Sequence, residues 1–562
     1  MTSRTDGAAS GPRPQGWPKL AALYAVLAAI ALAVALTAAP PDLVAADAPA
    51  SEFSGARALA TVRELTASGL PHPVGSVDHA RVQGVVVDRL RALGLAPDLQ
   101  LARECGRGGC VDIVNIVARI PGAEPGPALL LAAHYDSAPA GPGASDDAAG
   151  TAAVIEIARA LLTGPAPRRS VIVLIDDGEE LGLFGARAFL REHPWAPEVG
   201  VVLNFEARGT GGQTAMFETS DRSADLVEAY GHAVKRPVAS SVIYTLYKQL
   251  PNDTDLTVFK RAGMRGLNFA FADRVWEYHT PRDTVDSLDP RSLQHMGDQG
   301  LASARAILAA GSTREGSEES VYFDLFARKL VIYRARWVRP LAIVGALLAA
   351  FALAFAVRRK RASVVGVAAA AGLALGTLVA AALAGFVVAA LIGAVRGPLL
   401  PWSPAPTAPW IALVAAGVAA STALGAAVPK LSPLTRLGGV LALWTAFSLL
   451  VSFTAPGASY LFALPTLALG GALLVAVRLD GDDAPAPGWL ASLAPVAVTA
   501  LLWFPLLRIL LVMVGAGVSP TATVPAAFVA MTAMPLLTSF SGRLRWATTL
   551  TAGAIALLAI FF

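Results

Sequence analysis

Past Pro340 the chain almost runs out of charge. Residues 340–562 contain 14 charged side chains, 11 basic and three acidic (Asp480, Asp482, Asp483), and neither Glu nor His. Residues 1–339 contain the other 72, of which 34 are basic and 38 acidic. The formal net charge of +4 therefore divides into −4 and +8. A soluble domain averages about 25% charged residues, and the tail falls far below that. Its surface is suited to lipid, while the first part is suited to water. At 55% hydrophobic residues the chain is no disordered protein. No block of Lys and Arg with interleaved aromatics marks the polar part, so the basic balance gives no reason to invoke nucleic acid.

The apolar spans of the tail fall at 340–357, 364–395, 409–428, 437–455, 458–477, 489–514, 521–540 and 546–562. They predict an all-α polytopic transmembrane domain of about eight helices over 340–562. The 364–395 run is too long for one untilted helix. Ahead of the polar part, residues 20–39 are uncharged and long enough to span a bilayer, and residues 1–19 carry Arg4, Arg13 and Lys19. A retained helix fits this run better than a cleaved signal peptide, whose apolar core is shorter. Either way the basic flank stays cytoplasmic and the polar part is exported. Counting helices onward from there, Arg358, Arg359, Lys360, Arg361, Lys430, Arg436, Arg478, Arg543 and Arg545 all fall on the cytoplasmic side. Arg396 falls outside, and Arg508 lies within a span beside Trp503-Phe-Pro505. A charge there is costly and marks a functional position, unless it snorkels or pairs with backbone carbonyls. The Ala-rich composition suggests a bacterial cytoplasmic membrane, with the polar domain on its extracytoplasmic side.

Residues 50–310 read as an α/β domain. Strands are predicted at 112–120, 128–133, 170–175, 199–205 and 266–271, and helices at 56–68, 78–93, 148–162, 183–191, 224–234 and 290–310. That alternation argues for a mostly parallel sheet covered by helices on both faces. Residues 311–339 read as a polar linker. Cys105 and Cys110, in Cys-Gly-Arg-Gly-Gly-Cys, either close a small disulfide loop or remain two thiols.

All seven histidines precede residue 340, which places the chemistry in the polar domain. His134-Tyr-Asp136 ends one predicted strand, where open α/β sheets place their sites. Asp136 can accept the second imidazole N–H. Asp146 and Asp147 open a helix, so one can cap it and the other can bind a ligand. A buried strand then ends in Asp176-Asp177-Gly-Glu179-Glu180, a concentration of negative charge that a nearby cation would make favourable. Adjacent glutamates can divide labour between metal ligation and general base catalysis. Val201-Val-Leu-Asn-Phe-Glu206 places a carboxylate at another strand end, and Tyr278-His279-Thr-Pro-Arg-Asp283 places a histidine in a turn. Two His and three carboxylates without sulfur suit a hydrolytic divalent ion such as zinc. Two such ions sharing one carboxylate would form a clamp for attack of water on a carbonyl. The histidines at 72, 79, 193, 232 and 295 read as packing or surface residues.

In this order the motifs resemble the M28 family of zinc exopeptidases over residues 55–310. The Asn204-Phe-Glu206-Ala pattern, Leu250-Pro-Asn-Asp253-Thr-Asp255 and Val321-Tyr-Phe-Asp324 resemble its membrane-anchored branch of vacuolar membrane proteases and endoplasmic reticulum metallopeptidases. The resemblance implies a zinc-exopeptidase fold and two Zn²⁺ per chain. His134, Asp146 and Glu206 would hold one ion and Asp146, Glu180 and His279 the other, with Asp146 bridging. Glu179 would be the general base, and Asp136 would orient His134. Asp255 and Tyr278 would line the substrate pocket. The expected activity is that of an aminopeptidase acting on peptides, with the lipid bilayer as the other partner and an oligomeric state the sequence does not specify. Two alternatives are a single-zinc acyltransferase of the glutaminyl cyclase type, and a transporter or receptor carrying a non-catalytic domain of this fold.

Overall fold

The computed structural model describes residues 17–106, 109–250, 252–310, 316, 318–397, 407–428, 431–479, 486–514, 520–537 and 542–561. Its strands are β1 Asp98–Gly106, β2 Gly109–Ile120, β3 Ala128–His134, β4 Val171–Asp176, β5 Val199–Ala207, β6 Ala215–Thr219, β7 Arg265–Phe271, β8 Ser320–Leu325 and β9 Lys329–Arg334. Helix α1 is Trp17–Thr37. The helices of the polar part are α2 Gly55–Leu65, α3 Val77–Ala92, α4 Ala148–Leu162, α5 Phe184–Glu192, α6 Ala224–Ala233, α7 Ser241–Tyr247, α8 Asp255–Arg261 and α9 Pro290–Ala310.

Seven strands form one sheet in the order β1-β2-β4-β3-β5-β7-β6. The four central strands β4, β3, β5 and β7 are parallel, and β1, β2 and β6 add antiparallel edges. The sheet is therefore mixed. Its parallel part is confined to the centre, where both faces are covered. Period-2 alternation explains that cover. Leu129, Leu131 and Ala133 of β3 pack with helices α4 and α9, while Ala128, Leu130 and Ala132 face α5 and α8. The antiparallel edge strands give weaker sequence signals: β1 exposes Leu99 and Leu101 while burying Glu104, and β6 is only five residues long with Glu218 buried in it. Cys105 and Cys110 are joined by a disulfide across the β1–β2 turn.

The segment read as a linker contains the β8–β9 hairpin. Beyond it come α10 Val338–Arg358, α11 Val364–Arg396, α12 Thr407–Ala427, α13 Pro433–Thr454, α14 Tyr460–Leu479, α15 Ala486–Val514, α16 Pro520–Leu537 and α17 Gly542–Phe561. The long run near 364 forms the single helix α11 of 33 residues. At 1.5 Å per residue it is about 50 Å long, well beyond a hydrocarbon core of about 30 Å. Seven described helices are long and apolar enough to cross a membrane, and Thr521–Leu537 and Trp546–Ile560 are shorter apolar helices. Trp444, Phe462, Trp503 and Phe528 pack ring against ring between α13, α14, α15 and α16, and Trp444 Nε1 donates to Thr532 Oγ1. Arg436 is buried and donates to the carbonyls of Gly425 and Val428, satisfying the end of α12. Residues 1–16, Lys430 and the three acidic residues of the tail lie outside the described residues.

The two parts meet through specific contacts. Ser241 Oγ donates to the carbonyl of Gly457 at 2.7 Å, Ser240 Oγ bonds the Tyr460 hydroxyl at 2.8 Å, and the Phe323 ring stacks on Tyr460. From α1, the carbonyl of Thr37 accepts from Gln213 Nε2.

Helix α9 tests the packing of the polar part. A Cβ on Gly297 would meet ring atoms of Phe53 at 2.0–2.2 Å. Gly297→Ala should lower stability by about 1–3 kcal/mol, typical of overpacking. Thermal unfolding measures it, and an unchanged midpoint would contradict the packing.

Candidate metal centre

Strands β4, β3 and β5 lie side by side and end in Asp176, His134 and the segment Glu206-Ala207. From β3 the chain passes to β4 on one side and then to β5 on the other. Strand order thus reverses at β3, the place where open α/β sheets hold their ligands. His134, Asp176 and Glu206 are all buried there.

His134 is fixed from behind. Its Nδ1 lies 2.9 Å from the backbone carbonyl of Asp136 and 3.4 Å from that residue's carboxylate. Nδ1 therefore carries the proton, and Nε2 points into the site. Asp136 does more than orient this ring, because its carboxylate oxygens accept the backbone N–H groups of Glu179 (3.1 Å) and Glu180 (3.3 Å). The loop after β4 is thereby fastened to the end of β3. Glu206 Oε1 accepts from Asn204 Nδ2 at 3.0 Å, leaving Oε2 directed toward His134 Nε2 at 3.8 Å.

Asp146 stands between the two histidines. One carboxylate oxygen lies 3.5 Å from His134 Nε2 and the other 2.9 Å from His279 Nε2. His279 adopts a left-handed φ of 55°, uncommon outside glycine, and its Nε2 is also 2.9 Å from Glu180 Oε1. Asp283 joins these loops. Its carboxylate accepts from the backbone N–H groups of Ser145 (2.8 Å) and Asp146 (3.1 Å). Behind the turn, Gly141 passes so near the Thr280 carbonyl that a Cβ would lie 2.3 Å from it. Asp283 closes the Tyr-His-Thr-Pro-Arg-Asp motif. Its contacts join loops 137 residues apart, which no local pattern reveals.

Two triplets result. His134, Asp147 and Glu206 each place a donor atom within 4.8 Å of the others, and Asp146, Glu180 and His279 do the same. Asp147 enters the first triplet by proximity, but its Oδ1 accepts from Gly150 N and caps α4, and its Oδ2 lies 3.4 Å from His134 N. The free geometry favours Asp146. The electrostatics call for cations. Burial first, then the Glu206, Asp255 and Glu180 carboxylates, push Glu179 up against the pull of His134. Glu206 rises to about 8 through burial and the charges of Asp255 and Asp146. His279 rises to about 10 despite its burial, because Asp146 and Glu180 accept from it. One imidazole nitrogen facing two carboxylates can donate a single hydrogen. Hard N and O donors in this arrangement fit zinc or a similar divalent ion.

The other carboxylates of the β4 end have different partners. Asp177 Oδ1 lies 2.7 Å from His79 Nε2, and its Oδ2 accepts from Val114 N at 2.9 Å, so His79 is a partnered packing residue. Asp176 faces Asp255; burial and the Asp255 charge raise the proton affinity of Asp176, while Asp255 rises through burial and the Asp136 charge against the pull of His134 and Asp176. Asp255, expected in the substrate pocket, instead faces inward and is fully buried. The cavity beside the triplets, about 280 Å³, is lined by Asp146, Glu179 and Glu206, by Tyr278, and by Asp253 and Thr254 from the segment before Asp255. The Tyr278 ring stacks on His279 with centroids 3.7 Å apart.

Asp283 gives a direct test. Asp283→Asn should weaken metal affinity by about 10–100-fold, the usual effect of loosening an outer support. Competition with a chromophoric chelator measures it, and unchanged affinity would remove Asp283 from the account.

The sequence profile of peptidase family M28 matches residues 115–304. The vacuolar membrane protease of Candida albicans (strain WO-1) is 33% identical over 258 residues, 45% of this chain and 30% of that protein. Endoplasmic reticulum metallopeptidase 1 of Homo sapiens is 34% identical over 238 residues, 40% of this chain and 26% of that protein. The chain thus covers under a third of the length of either relative. Among solved structures, a glutaminyl cyclase from an Acidobacteriales bacterium aligns over 48% of this chain and all of its own, with 22% identity and a TM-score of 0.38. Residues 115–304, which match the profile of peptidase family M28, carry every member of both triplets.

Proposed function

We propose that this chain is a membrane-embedded, zinc-dependent metallopeptidase with two metal ions, acting as an aminopeptidase on the extracytoplasmic side. The observation that carries the reading is the Asp146 carboxylate placed between His134 and His279, with a third donor, Glu206 or Glu180, beside each imidazole. His134, Asp146 and Glu206 are assigned to one ion, and Asp146, Glu180 and His279 to the other. Zinc bound there would supply Lewis acidity toward the scissile carbonyl and lower the pKa of the attacking water.

The chain's own residues do the rest. Glu179 lines the cavity without a place in either triplet, and burial and neighbouring charge raise its proton affinity. It takes a proton from the attacking water and returns it to the leaving amine. Asp136 holds the backbone of Glu179 and Glu180 and the His134 ring in one frame. Tyr278 contacts the substrate from the cavity wall, and the carboxylate-rich end of the cavity attracts a free amino terminus.

Three features support the membrane placement. The chain has helices of spanning length, nine of the 11 basic residues of the tail fit one alternation, and the disulfide suits an oxidising compartment. The contacts at Gly457, Tyr460 and Thr37 lie on the side where that alternation puts the polar domain.

Glu179→Gln should keep its metal and lose about 10²–10⁴-fold in kcat. A chelator should abolish hydrolysis by the unaltered chain, and an N-terminally acetylated peptide should be refused. Full turnover by Glu179→Gln would remove the base from the mechanism, and cleavage of the acetylated peptide would remove the aminopeptidase assignment.

A further inference from the structure

Arg508, the charge within an apolar span, reaches the polar domain. Its Nη2 lies 3.3 Å from Asp273 Oδ2 and its Nη1 3.5 Å from Gln213 Oε1, both in the polar domain. The cavity that holds Glu179 and Glu206 is also lined by Arg508, Ile509 and Val512 of α15 and by Val34 and Thr37 of α1. Membrane helices therefore build part of its wall.

A guanidinium has five N–H donors, two of which these long contacts engage, and Arg508 lines the cavity. The Arg508 side chain is 32% exposed. Asp273 is held beside it without a closed bidentate fork. The other charged lining is Asp146, Glu179, Glu206, Asp253, Asp273 and Asp324, with Arg208, directly after β5, as a second guanidinium. Arg508 forms no ion pair with the carboxylates of the triplets. The cavity thus offers negative charge at the catalytic carboxylates and two planar cations, Arg208 close to Glu206 in sequence and Arg508 contributed by α15. A short peptide with a free amine and a carboxylate is complementary to that pattern. Guanidinium geometry matches a carboxylate better than any neutral group. At about 280 Å³ the space lies just below the usual range of ligand pockets, about 300–1,000 Å³.

We propose that Arg508, carried into the catalytic cavity by membrane helix α15, binds a carboxylate of a short peptide substrate, so that the membrane region completes the substrate site. The inference rests on the peptidase reading above. The carboxylate is either the peptide's C-terminus or an acidic side chain, and paired substrates separate the two.

The test uses the full-length, zinc-loaded protein and reads kcat/KM. One pair is Ala-Leu-Ala against Ala-Leu-Ala-amide, and the other is Ala-Glu-Ala-amide against Ala-Gln-Ala-amide. The unaltered chain should favour the acid member of one pair by at least about tenfold, the scale of one charge-assisted hydrogen bond. In R508Q that ratio should fall toward one through a higher KM for the acid, and R508K should restore part of it. A merely structural Arg508 would lower both members of a pair together and leave the ratio at its original value, which would overturn the proposal. Equal rates for acid and neutral members in the unaltered chain would overturn it however the variants fold. Failure of the unaltered chain to cleave any of the four peptides would instead bring down the peptidase reading, and this inference with it.

Discussion

The constraint on which the site depends is the position of one carboxylate, Asp146, between two imidazoles in a buried region crowded with negative charge. Removing a charge from water costs several kcal/mol even after relaxation. The fold nonetheless brings Asp146, Glu179, Glu180 and Glu206 together, with His134 and His279 as the groups that offset them most. The arrangement persists because backbone N–H groups and Asp283 hold the loops, and because the donors face a common space suited to cations. Asp136, Asp147 and Asp283 serve as struts. Each turns its carboxylate toward backbone N–H groups on an element other than its own strand, or at a helix start.

Much of this was legible in the sequence because parallel strands concentrate function at one end. His134 and Asp176 close buried apolar runs, and Glu206 lies one residue before the end of its strand. Once the runs are read as strands, their ends fall together. The parallel centre of the sheet follows from the same alternation. The edges did not, since β1 exposes leucines and buries Glu104, and β6 is a five-residue strand with a buried glutamate. Asp255 was misplaced for a related reason. The segment around it reaches the cavity through Asp253 and Thr254, while the start of α8 turns the Asp255 side chain inward against Asp176. Asp283 could be seen as a residue but not as a strut, because its partners are far away in sequence.

The membrane tail was readable as helices and hidden as a participant. Charge depletion and periodic basic loops give spans and sidedness, but they say nothing about which span faces the polar domain. Arg508 looked anomalous only as a charge in an apolar run. Its partner Asp273 lies 235 residues earlier, and the contact exists only once α15 is packed beside the cavity. The long hydrogen bonds at Gln213 and Asp273, the Ser241–Gly457 bond and the Phe323–Tyr460 stack make the junction a set of polar and aromatic contacts. In this account the tail is a wall of the substrate site as well as an anchor.

The central claim is that two metal ions share Asp146. Metal content per chain of the full-length protein, purified without chelator and reconstituted with zinc, tests it most directly. The account predicts two zinc equivalents per chain. A single tightly bound equivalent would contradict the shared-carboxylate site and favour the single-zinc acyltransferase alternative.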